Sequence, residues 1–98
     1  MNTINYVESI PTYINDFIKL NIDNIRAIYN QETQDGYIYI NVNQKENKVD
    51  ICFLNLETMK KTFNVNDEFI ENMNKEDHGK IKVFILDMEI NESFIIFL

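Results

Sequence analysis

An α+β domain built on an antiparallel sheet of five or six strands, a β-meander plus a C-terminal hairpin, is the fold this sequence predicts. Three observations carry it. Apolar residues near the start recur at helical spacing, Asp35-Gly36 separates two β-rich segments, and the last nineteen residues alternate around Ile90-Asn91. An N-terminal helix and a short second helix are expected to cover one face of the sheet. The 98 residues leave room for one core, so residues 1–98 are read as a single domain.

Residues 3–8 read as a short turn packing Ile4 and Val7. Ile10, Ile14, Phe17, Ile18 and Ile22 then form the stripe of an amphipathic helix. Ser9 is placed to cap it, and Pro11 falls in the first turn, where a missing N–H costs nothing. Asp35-Gly36 reads as a type I′ turn, whose two central residues need positive φ. That turn implies strands at about residues 25–34 and 37–43. Ala27, Tyr29, Ile38, Ile40 and Val42 then share one face, and Glu32, Tyr37, Tyr39 and Asn41 the other.

Asn43 to Lys48 is a polar turn. Val49, Ile51 and Phe53 alternate with Asp50 and Cys52 as a third strand. Residues 56–63 fit two patterns: Met59, Phe63 and Val65 suit a strand, whereas Leu56, Met59 and Phe63 behind an Asn55 cap suit a helix. The strand continues the meander and is preferred. Asn66 then caps a helix running to about Lys75, with Asp67 and Glu68 favoured by the helix dipole. Lys80–Met88 and Glu92–Leu98 close the chain as two strands. The first is apolar on both faces, as a covered strand must be.

Sixteen carboxylates face nine basic side chains, for a formal charge of −7. Such a surface repels nucleic acid and anionic membrane and attracts basic proteins. The lone Cys52 allows no intramolecular disulfide, in keeping with a cytoplasmic location. No basic, then apolar, leader opens the sequence, and its longest apolar run, Phe94–Leu98, is far shorter than the roughly 20 residues of a membrane span. Sixteen Ile and fifteen Asn beside one Ala, one Arg and two Gly point to a low-GC genome, such as that of a bacterium, phage, plasmid or virus.

Little catalytic chemistry is available. His78, between Asp77 and Gly79, lacks an activated nucleophile, because Cys52 sits on an alternating strand where a buried structural thiol is expected. Asp35 with Glu46-Asn47-Lys48 has the letters of a nuclease site, but Glu46 and Lys48 fall in a turn. Gly36 and Gly79 are assigned to turns, which leaves no phosphate-binding loop. The carboxylates match no calcium-loop spacing. No catalytic residue, metal site or cofactor is expected, and the chain is read as a non-enzyme.

Two features remain. Asp67, Glu68, Glu71, Glu76 and Asp77, with Asp87, Glu89 and Glu92, concentrate acid late in the chain as a candidate surface for a partner protein. Phe94, Ile95, Ile96, Phe97 and Leu98 are either a central strand or a self-association surface. The expected function is therefore a small acidic cytoplasmic protein-binding module that inhibits a basic, nucleic-acid-handling partner without touching nucleic acid or membrane. Anti-defence proteins of phages and plasmids, immunity proteins and DNA mimics are of this type. A self-associating assembly subunit, such as a homodimer, and a small metal-dependent binder or enzyme are the alternatives.

Overall fold

Apolar residues at positions 14, 17, 18, 22, 25, 28 and 29 stay on one side of a continuous helix, and this single stripe governs the first third of the molecule. A computed structural model describes residues 3–6, 10–77 and 79–98, and the side chains of all of these except 3–6, 76 and 77. Within it α1 runs Thr12–Asn30 and buries Ile14, Ile18 and Ile25. Residues 25–30, expected in a strand, are its last turns, because Ile25, Ile28 and Tyr29 prolong the helical stripe. Pro11 takes the N-cap position without a side-chain bond, and the expected cap Ser9 lies outside the described residues.

After β1 (Thr3–Tyr6), where a turn was expected, the strands are β2 (Gly36–Asn43), β3 (Lys48–Asn55), β4 (Lys82–Asp87) and β5 (Glu92–Phe97). Val7 lies outside the described residues. The sheet order is β1-β5-β4-β2-β3. Its body is the four strands from β5 to β3, and β1 lies parallel along β5. The class is α+β as predicted, but the sheet is mixed rather than antiparallel: β2 and β4 run parallel, with Ile38 opposite Val83 and Ile40 opposite Ile85.

Asp35-Gly36 is not a hairpin turn. Gly36 opens β2 opposite Asn55, and Asp35 ends the α1–β2 loop, its carboxylate accepting from the Gly36 N–H. The first hairpin lies one loop later, where β2 and β3 join through residues 44–47. A second joins β4 and β5 through residues 88–91. Each loop has four residues and ends on an asparagine with left-handed backbone, Asn47 and Asn91, both at φ 54°. Asparagine tolerates that region better than other residues with a Cβ.

Residues 56–63 are helical, the less favoured of the two expected patterns. In α2 (Leu56–Phe63) the Asn55 side chain accepts from the Thr58 N–H, Met59 is buried, and Asn64 ends the helix in left-handed conformation. In α3 (Asp67–Asp77) Asn66 caps as expected, accepting from the Phe69 N–H at 2.9 Å.

The alternation of β2 places Ile38, Ile40 and Val42 against α1, together with Val83, Ile85, Phe94 and Ile96. Tyr37, Phe84 and Ile95 face the other way, against Met59, Ile70 and Met73. The helices therefore cover both faces of the sheet, not one as expected. Two apolar faces on β4 and β5 require a layer on each side. Among the described residues no helix is long and apolar enough to cross a membrane.

Candidate functional site

The cap at Asn66 fixes which way α3 faces. Ile70 and Met73 enter the core, and Asp67, Glu68 and Glu71 consequently point outward. Asp67 and Glu68 occupy the first turn, where they complement the helix dipole. Asp67 also accepts from Lys60 Nζ at 2.9 Å, and this carboxylate holds the ammonium above its usual range. Between α2 and α3 lies an open groove of about 230 Å³, lined by Leu56, Lys60, Asp67, Ile70 and Glu71. Its floor is aliphatic and its rim carries two carboxylates and one ammonium.

The late acidic residues do not form one surface. Glu76 and Asp77 end α3, and their side chains lie outside the described set. Asn74, nearby on α3, accepts from Lys82 at the start of β4, whereas Glu89 lies in the turn beyond its end. A six-residue strand, roughly 20 Å long, therefore separates the two groups. Glu89 is exposed and Glu92 half-buried. Asp87 is fully buried on the α1 face, where its carboxylate accepts from the Tyr13 hydroxyl and the Glu89 N–H. It stands opposite Val42, beneath the first turn of α1, and so leaves the expected partner-binding surface.

Phe94, Ile95 and Ile96 are buried, and Phe97 and Leu98 half-buried. β5 is hydrogen-bonded to β4 and β1, and Leu98 exchanges two backbone hydrogen bonds with Ile81. These five residues fill the two cores of the monomer.

Cys52 is exposed, contrary to expectation, on β3, which forms the edge of the sheet. Partial burial and then Asp50 push its thiol above the usual range. Burial, followed by Cys52 and Asp50, likewise raises the Tyr39 phenol. His78 lies outside the described residues. Among those described, no three His, Cys, Asp or Glu side chains converge as a metal site requires.

Sequence reasoning missed one polar cluster. Lys82, 2 % exposed, donates to Asp35 Oδ1 at 3.1 Å and Asn74 Oδ1 at 3.2 Å, and its ammonium lies 5.4 Å from the centre of the Tyr37 ring. The contacts tie the α1–β2 loop, α3 and β4 together. Half-exposed Asp35 also borders an open groove with Gln34, Asn55, Leu56 and Glu57. A lysine at the head of an otherwise apolar strand, and the acid of Asp35-Gly36, were the available signals. No protein-family model matches this chain, and no curated protein or solved structure is significantly similar to it.

Proposed function

We propose that this chain is a small acidic protein-binding module that inhibits a basic, nucleic-acid-handling partner, with the outer side of α3 as its contact surface. The observation that carries the reading is the α2–α3 groove, where Asp67 and Glu71 stand above Leu56 and Ile70. Such a groove suits a lysine or arginine from a partner: the aliphatic stem lies on the floor and the charged head meets Glu71, beside the Lys60–Asp67 pair. Glu68, also exposed, extends the acidic rim along the helix. Carboxylates held on a rigid helix compete for a groove shaped for phosphates and accelerate encounter with it. The AT-rich residue usage is that expected of a low-GC bacterium, its phage or plasmid, or a virus, and fits an anti-defence, immunity or DNA-mimic role.

The test is to capture the partner from host lysate and measure association kinetics at low and high salt. Reversing Asp67, Glu68 and Glu71 to lysine should slow association at least tenfold and flatten its salt dependence. A control reversing Asp23, Glu32 and Asp50, all exposed, adds the same charge elsewhere. Equal losses from both variants would reduce the effect to bulk charge. No loss from either would refute the reading.

A further inference from the structure

Large exposed apolar side chains are few among the described residues, and they are not scattered. Of Tyr13, Leu20, Val49, Met88 and Ile90, all except Leu20 lie at one end of the sheet. Met88 and Ile90, 50 % and 49 % exposed, project from the β4–β5 turn. Tyr13 stands on the first turn of α1 and is held there by its bond to Asp87, the residue before Met88. Val49 of β3 shares a row of the sheet with Val42, Asp87 and Glu92. The patch therefore joins three elements at the end of β4 remote from Lys82.

Its border is acidic. Glu89 lies between Met88 and Ile90, Glu92 closes the row, and Asp16 stands one helical turn after Tyr13. The turn, that row and the first turns of α1 up to Asp16 contain no lysine or arginine. The β2–β3 loop at the same end adds Lys45 and Glu46, one charge of each sign, and Lys48 points to the opposite face from Val49, 3.8 Å from Glu46, so the border keeps its net negative charge.

We infer that this end of the sheet is a second docking surface, for a protein partner that presents an aliphatic or aromatic anchor ringed by lysine or arginine. The inference rests on the chain being a protein-binding module but assigns a surface separate from the α2–α3 groove. Charge complementarity selects the occupant. A second copy on a twofold axis would set this acidic border against the same acidic border. A nucleic acid would bring phosphates to the same carboxylates. A basic face with an apolar centre satisfies both the patch and its border, the arrangement of a central anchor within a polar rim.

The test is titration of the ¹⁵N-labelled full chain with a heptapeptide alternating lysine with leucine and phenylalanine. Heptalysine and the same peptide with glutamate for lysine serve as comparisons. Saturable shifts should appear at the amides of Tyr13, Val49 and residues 88–92. Heptalysine should bind at least tenfold more weakly, and the glutamate peptide should not bind. Met88→Ser with Ile90→Ser should weaken binding at least tenfold while leaving the melting temperature and the remaining resonances in place. Reversal of Asp67, Glu68 and Glu71 should leave it unchanged. Undiminished binding by the serine variant, or shifts confined to α2 and α3, would overturn this inference while leaving the groove reading intact. The absence of any saturable shift, or self-association through residues 88–92 without peptide, would also overturn it. The groove reading is decided separately by the kinetics of its own variants.

Discussion

A methyl group placed on Gly36 would stand 2.3 Å from the carbonyl oxygen of Leu54 and 2.4 Å from the Phe53 ring. Gly36 does not have positive φ, so its requirement for glycine is one of space. Gly36→Ala should therefore destabilise the fold by about 1–3 kcal/mol, the range for overpacking. Gly36→Asn should be at least as harmful, whereas a left-handed turn position would tolerate asparagine. A mild effect from asparagine beside a large one from alanine, measured by urea denaturation, would contradict the close-approach explanation.

The buried carboxylate of Asp87 depends on Tyr13. Tyr13→Phe should destabilise by about 1.5–3 kcal/mol, the scale of a hydrogen bond to a charged group. Asp87→Asn should remove most of that sensitivity. A double-mutant cycle with a coupling below about 0.5 kcal/mol would show the two groups to be independent.

Ser93 Oγ and Asn41 Oδ1 lie on one row of the sheet across Leu86, both buried and without a hydrogen-bond partner. Ser93→Ala should leave stability unchanged or raise it by up to about 1 kcal/mol, since an unpaired buried hydroxyl is a penalty. A lower denaturation midpoint would reveal a partner for the hydroxyl.

Asn64 ends α2 at φ 53°. Asn64→Gly should be neutral or slightly stabilising, and Asn64→Val should cost about 1–2 kcal/mol, because a β-branched residue resists left-handed backbone. Asn72→Val, on the exposed side of α3, should change stability by less than about 0.5 kcal/mol. Similar melting temperatures for both valine variants would refute the assignment of Asn64.

The raised Cys52 thiol holds its proton more tightly in the folded chain than in the unfolded one. At pH 8 it should react with iodoacetamide more slowly than a cysteine in a short peptide, and Asp50→Asn should speed it up. The sign for stability follows. The native state binds more protons in the alkaline range, so stability should fall as pH rises from the unfolded thiol's titration range through that of the folded thiol. The raised Tyr39 phenol adds the same slope at higher pH. A flat urea midpoint over that range would contradict both.

Much of this was legible in the residues. The α3 cap, its outward acids, the polar turn before Lys48 and the closing hairpin rest on local chemistry that tertiary contacts did not override. The second half of α1 was legible too, because Ile25, Ile28 and Tyr29 continue the earlier stripe, but the Asp-Gly signal outweighed it. The alternation of β2 held in spite of that error, because it belongs to the strand rather than to its neighbour. Parallel pairing of β2 with β4 was not legible, since it depends on which layers cover each face. For the same reason Asp87 reads as a surface charge in the sequence and Lys82, at the other end of the same apolar strand, carries no signal of burial. Only the helices stacked over them show that each enters a different side of the sheet.

The parallel seam also shapes how the chain reaches this state. β2 meets β3, and β4 meets β5, through loops of four residues, so each hairpin can form locally. Ile38 reaches Val83 only after β3, α2 and α3 have been traversed. Contacts of such high order dominate the search, and joining the two hairpins becomes the slow step of folding. The entropy of closing a loop grows only logarithmically with its length, so a few residues inserted between α2 and α3 would retard folding slightly and barely shift the equilibrium. The elbow at Asn64–Asn66 is thus the point where the nucleus can be probed with least disturbance to the native state.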